Sequence, residues 1–178
     1  MSYITTTTGK HFDPAEPEEA LLDLYDIAHS LAFVCRANGH MRIFYSVAQH
    51  SIACAREAIE RGHGREIVLA CLLHDASEAY LSDVIRPVKK DLPYYLEVEA
   101  RLQDMIWRHF IGRLPSSEEE AEVFAIDDQM LSMEFRQLMP EELGEDYRKL
   151  KREFQCEYRD PAEVVREFLA LAKEHGVC

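Results

Sequence analysis

A histidine and an aspartate stand side by side at His74-Asp75, inside the run LLHDASEAYLSD, and another histidine, His50, lies in the run SVAQHS. Neutral imidazole and ionised carboxylate are both ligands for first-row divalent metals. Both are costly in a core unless paired or coordinated. On a helix advancing about 100° per residue, Asp75 falls about 100° from His74 and Glu78 about 40° from it, so one wedge presents all three. His50 comes three residues after Val47 and four before Cys54, on their apolar face. A fourth ligand is expected from an acid of a later helix. Asp127 and Asp128 flank the apolar stripe Phe124, Leu131, Phe135, Leu138, and periodicity alone does not choose between them. Each residue also has a plainer use: a histidine on an apolar face can be a hydrogen-bonded core residue, and an aspartate beside a stripe can be salt-bridged. Taken together, the set fits hydrolysis by a metal-activated water.

The elements that must position these groups read as helices. Ser2 to Asp13, turning at Thr8-Gly9-Lys10, reads as a short hairpin. A helix is then expected over Glu18 to Ala37, with Leu21, Leu24, Tyr25, Ala28, Leu31 and Ala32 on one side and Asn38-Gly39 as its stop. A second runs from Phe44 to Arg61 and ends at Gly62-His63-Gly64. The third, Arg65 to Tyr80, is apolar almost all round at Ile67–Leu73 and should be the central buried helix. Pro87 and Pro93 bracket a loop carrying Lys89 and Lys90. Further helices are expected over Tyr94–Phe110, Ser117–Leu138 and Pro161–His175. The class is all-α.

Composition narrows the function. A chain of 178 residues, 47% hydrophobic and 30% charged, fits one soluble domain with a sizeable core. Its longest apolar stretch, Ile67–Leu73, is too short to span a bilayer, and MSYITTTTGKHFD has no secretory layout; a cytoplasmic protein is expected, without a membrane partner. Five cysteines with no CxxC pair argue against thiolate zinc and a disulfide framework. The net charge of −13 is uneven, −3 over residues 1–90 and −10 over 91–178, with no basic stripe. Long nucleic acids are therefore poor partners, whereas a small phosphorylated ligand needs only one or two well-placed cations.

The order His50, His74-Asp75, Asp127 in an all-α chain resembles the HD-domain metal-dependent phosphohydrolases, whose H…HD…D signature supplies one divalent metal from separate helices. HDASE followed by Asp83 is similar to the bacterial HD-domain 5′-deoxynucleotidases, in which the acid three residues after HD and the acid five further on line the active site. CRANGH…FYSVAQHS and the Thr/Gly/Lys leader are similar to a group of prophage-associated HD proteins. In those relatives the late aspartate is followed by leucine at +4 and glutamate at +7; Leu131 and Glu134 meet that spacing from Asp127, which selects it over Asp128. The match covers about residues 1–140, and no motif follows Met139.

The resemblance implies an HD-type helical bundle in a single domain over 1–178, with a motif-bearing core over 18–138 and C-terminal helices over 139–178. It implies one divalent ion (Co, Mn, Zn, Ni, Fe or Mg) on His50, His74, Asp75 and Asp127. Only His109 and His175 follow the pair, so the extra histidines of binuclear relatives are missing. Glu78, not needed as a ligand, is placed to position the water or take its proton, and Asp83 to orient a second water or contact a sugar. Arg36, 14 residues before His50, stands where the deoxynucleotidases keep a phosphate-binding arginine; Arg42 and Lys89 are further cations. The implied activity is a 5′-nucleotidase acting on (deoxy)nucleoside 5′-monophosphates, and the implied assembly a homodimer. The alternatives are triphosphate or pyrophosphate hydrolysis, or a non-catalytic metal- or nucleotide-binding modulator.

Overall fold

The computed structural model describes residues 2–140 and 146–177; within the expected C-terminal helices, 141–145 lie outside the described residues. The fold is all-α with one short hairpin. Strands β1 (Ile4–Thr5) and β2 (His11–Phe12) pair antiparallel in the register Ile4↔Phe12 and Thr5↔His11. Gly9, at φ +83°, makes the turn. The hairpin is fastened to the bundle by Asp26, whose carboxylate accepts from the Thr8 N–H at 2.8 Å and the Thr8 hydroxyl at 2.6 Å. Phe12 is driven into the core, stacked on Tyr80.

Helix α1 (Leu24–Phe33) is shorter than the pattern predicts. Asp23 caps it by accepting from the Tyr25 N–H, a use of an N-cap aspartate that starts the helix late. After Phe33 the chain extends and then turns sharply over Arg36–Gly39, where Ala37 and Asn38 both take left-handed φ of about 50°. Two non-glycine residues in that region mark a backbone held in place by its surroundings. Tyr25 is also misplaced by the pattern: it is exposed, and Ile27, Ala28, Leu31 and Ala32 form the buried side.

Helix α2 (Val47–Glu60) opens with a capping box between Ser46 and Gln49 and packs along α3 (Arg65–Leu73). The predicted third helix does not continue to Tyr80. It ends at Leu73, passes through a turn over residues 74–77, and resumes as α4 (Glu78–Leu81). Gln103 explains how a buried break is tolerated. Its side-chain N–H donates to the Leu73 carbonyl at 2.7 Å, and its Oε1 accepts from the Ser77 N–H at 3.2 Å. The backbone groups freed by the break are thus matched rather than orphaned.

The loop expected between Pro87 and Pro93 contains a one-turn helix, α5 (Arg86–Lys89). Helix α6 (Pro93–Ile111) supplies Gln103 and ends at Gly112. Helix α7 (Ser117–Leu138) begins at a second capping box, Ser116 with Glu119, and runs to its predicted end. Its core face is Val123, Ile126, Met130 and Met133; Phe124, read from the sequence as part of the core stripe, is half exposed. Residues 150–159 cross the outside of α2 and α7 as an extended strap. The Glu57 carboxylate accepts from the Lys151 and Arg152 N–H groups at 2.7 and 3.1 Å. Gln49 donates to Glu157 O at 3.0 Å, and Gln137 to Phe154 O at 2.8 Å. Helix α8 (Pro161–Glu174) then packs on α1 and α2, burying Phe168 completely. Among the described residues no helix is long and apolar enough to cross a membrane.

Candidate metal centre

Three separate stretches bring the sequence-predicted ligands together. His50 points inward from α2, His74-Asp75 sits where α3 breaks, and Asp127 comes from the middle of α7. His50 Nε2 lies 3.3 Å from His74 Nε2 and 3.0 Å from Asp127 Oδ1. His74 Nε2 lies 3.2 Å from Asp75 Oδ2 and 3.8 Å from Asp127 Oδ1. His74 and Asp75 stand where the helix tightens into i→i+3 turns, with the Ala76 N–H on Leu73 O at 3.1 Å and the Glu78 N–H on Asp75 O at 3.0 Å. Each ring is oriented from behind: His74 Nδ1 faces Cys71 O at 2.8 Å, and His50 Nδ1 faces Glu134 Oε1 at 2.7 Å. Both Nε2 atoms consequently face the shared space.

Cys54 Sγ lies 3.5 Å from His50 Nε2, one turn along α2, so His50, Cys54 and His74 form a buried group that can hold a metal ion. The carboxylates of Asp75 and Asp127 border the same space. Burial pushes the Cys54 thiol up, with Asp127 adding to the effect. Burial also pushes the His74 imidazole down, but Asp75 and Asp127 outweigh it and hold the ring well above its ordinary value. For His50, burial and the Arg36 charge push down, and Glu134 and Asp127 more than offset them. Burial would raise Asp75 and Asp127, yet the imidazoles hold both below the usual carboxylate range.

His74, Asp75 and Asp127 line a cavity of about 910 Å³, onto which Arg36, Glu78, Asp83, Lys89 and Arg86 also open, while His50 is completely buried beside it. Glu78 is buried; its Oε1 lies 3.9 Å from Lys89 Nζ, and its Oε2 is a buried oxygen with no partner. Burial, then Asp75 and Asp83, push its carboxyl well above the ordinary range. Asp83 is raised too, by burial and Asp75. Arg36 is buried, with Nη1 3.5 Å from Asp75 Oδ2 and Nε donating to Glu134 Oε2 at 3.2 Å. Lys89 pairs with Glu99 at 2.5 Å.

Arg42, grouped with these cations from the sequence, is exposed and lies outside the cavity; its neighbour Met41 faces in instead. Asp128 is also outside the cluster, exposed and paired with Arg86 Nη1 at 2.9 Å. Sequence reasoning missed Arg86, whose Nη2 donates to Asp127 Oδ2 at 3.0 Å. It gave Glu134 a place in a motif and no task. Phe124, Leu131 and Phe135 line the cavity as its apolar side, so α7 carries two apolar stripes, one for the core and one for this wall.

No known family profile matches the chain. It is similar to the uncharacterized protein YfdR of Escherichia coli strain K12, at 39% identity over 108 residues, 60% of this chain and 57% of that protein. It is also 39% identical over 109 residues to an uncharacterized protein of Rhodobacter capsulatus, covering 58% of this chain and 55% of that one. The chain thus spans a little over half the length of these relatives.

Proposed function

We propose that the chain is a metal-dependent phosphohydrolase of the HD-domain kind, releasing phosphate from (deoxy)nucleoside 5′-monophosphates. The observation that carries this reading is the convergence of His50 Nε2, His74 Nε2, Asp75 Oδ2 and Asp127 Oδ1, with neighbouring contacts of 3.0 to 3.8 Å, on an open cavity. Two imidazoles and two carboxylates suit a first-row divalent ion better than the hard all-oxygen sites of calcium. The unpartnered Glu78 Oε2 beside them supports a reacting group at that point, since a buried oxygen without a partner is costly unless it has a use.

A divalent ion held by His50, His74, Asp75 and Asp127 would neutralise phosphoryl charge and make a water more acidic. The chain's own residues do the rest. His50 comes from α2, His74-Asp75 from the turn after α3 and Asp127 from α7, so the donor set is held by three stretches of chain. Glu78, whose carboxyl is pushed well above the ordinary range by burial and by Asp75 and Asp83, is the group placed to give a proton to a leaving alkoxide. Arg36 faces the cavity as a buried cation for phosphate oxygens, and Phe124, Leu131 and Phe135 offer an apolar surface for a base. Arg86 and Lys89 also line the cavity, but each is paired, with Asp127 and Asp128 and with Glu99, so a monophosphate suits the site better than a triphosphate.

The test is phosphate release from nucleoside mono- and triphosphates with Mn²⁺, Co²⁺ or Mg²⁺. Glu78→Gln is expected to lower turnover by about 10²–10⁴-fold while leaving metal binding intact. Metal binding without release from any nucleotide would overturn the enzyme reading.

A further inference from the structure

Glu134 lies two turns beyond Asp127 on α7 and is completely buried. A carboxylate in such a place is expensive unless each oxygen has a donor. Here both do, and the two donors belong to different halves of the site. Oε1 faces His50 Nδ1 at 2.7 Å, and Oε2 accepts from Arg36 Nε at 3.2 Å. The first contact leaves His50 Nε2 turned toward His74 and Asp127. The second occupies the Nε edge of the guanidinium, so that Nη1 points to Asp75 and the cavity. Arg36 needs such a hold, because it opens the tight turn in which Ala37 and Asn38 take left-handed φ.

We propose that Glu134 is a positioning residue that joins the two halves, one oxygen setting the metal-facing histidine and the other the phosphate-facing arginine. The inference rests on reading the cluster as a metal site. An outer carboxylate behind a metal-binding histidine fixes its tautomer and ring angle, and losing it typically weakens metal binding about 10–100-fold. Glu134 does this while also aiming a cation, so damage to it should reach both ligands. Glutamine cannot replace it. An amide offers an acceptor on one side and a donor on the other, so its NH2 either faces the Arg36 N–H or faces His50 Nδ1 and drives the ring proton to Nε2, where it blocks coordination.

The experiment compares the wild type with Glu134→Gln, Arg36→Ala and the double variant. Mn²⁺ affinity is measured by titration calorimetry, followed by inorganic phosphate affinity of the Mn²⁺-loaded protein. Glu134→Gln is expected to weaken Mn²⁺ about 10–100-fold and to weaken phosphate as well. Arg36→Ala should weaken phosphate without weakening Mn²⁺. The double variant should bind phosphate no worse than Arg36→Ala alone, because Glu134 acts on phosphate through Arg36. A Glu134→Gln protein with wild-type affinity for both ligands, whatever its melting temperature, would overturn the proposal.

If that variant does not fold, the Zn²⁺-loaded wild type decides by long-range ¹H–¹⁵N spectra. A downfield, slowly exchanging Nδ1 proton on His50 supports the contact; a freely exchanging one refutes it. A wild type that binds neither Mn²⁺ nor Zn²⁺ would remove the metal-site reading itself, and this inference with it.

Discussion

Metal loading should change stability with a pH dependence whose sign the site dictates. His50 Nε2 and His74 Nε2 are 3.3 Å apart, and both rings are held above their ordinary value of 6.5 by adjoining carboxylates. Both imidazoles must shed a proton before they can coordinate, so metal and protons compete. While both are protonated, affinity should climb up to about a hundredfold per pH unit, equivalent to about 2.7 kcal/mol. The metal-free protein should behave oppositely. Its raised imidazoles contribute stability that is full below 6.5 and is lost as pH rises through their folded values. Its lowered carboxylates, Asp75 and Asp127, contribute stability present above 3.8 and lost as pH falls. Melting curves in Mn²⁺ or Co²⁺ read both effects. At a free metal concentration one hundred times Kd, stabilisation is about 2.7 kcal/mol, which for a domain of this size is about 5–10 °C. Asp127→Asn should lose most of that shift. No metal-induced shift, or a Kd that stays constant between about pH 6 and pH 8, would refute the reasoning.

Two further outcomes separate what holds the ion from what holds the fold. Cys54 belongs to the buried His50–Cys54–His74 group, but burial pushes its thiol up, so the carboxylates are the expected partners of the imidazoles. Cobalt-loaded protein should therefore lack a near-ultraviolet sulfur-to-cobalt charge-transfer band, and Cys54→Ala should bind cobalt as the wild type does; an intense band lost in that variant would transfer a ligand role to the thiol. Glu57 is completely buried and accepts from Arg61 Nε and the Lys151 and Arg152 N–H groups. Glu57→Ala should cost about 2–4 kcal/mol in urea unfolding and expose the strap to proteolysis near Lys151, with the metal site still binding once folded.

Helix positions were legible where one period dominates. The Ser117–Leu138 helix has a capping box at one end and an unbroken apolar repeat, and it forms as predicted. The Arg65–Tyr80 pattern is equally apolar, yet the helix breaks at His74, where the distant Gln103 accepts from the Ser77 N–H and donates to Leu73 O. No local pattern carries that information. The same limit applies to the site. His50, His74, Asp75 and Asp127 are of types whose chemistry can be read from the letters, and the fold brings them together. Arg86 and Glu134 are ordinary charged residues on helical segments, given tasks only by what stands opposite them: Asp127 for one, His50 and Arg36 for the other. Arg42 shows the converse: its letter suits an anion, yet it is exposed and outside the cavity that its neighbour Met41 lines.

Proton exchange at the cluster would match the charge of a divalent ion better than that of a monovalent one. Asp75, Asp127 and Glu134 place three carboxylates against the two imidazoles, and Arg36 matches one of them. Arg86 matches Asp127 from the exposed side, and both rings, lying against these carboxylates, are raised above the ordinary imidazole value. Exchanging one proton from each ring for one doubly charged ion leaves the net charge of the buried cluster unchanged, so desolvation gives little reason to resist the exchange. A monovalent ion would leave one carboxylate uncompensated or one imidazole still protonated and unable to coordinate. Glu78 stands just outside this balance: burial, then Asp75 and Asp83, push its carboxyl well above the ordinary range.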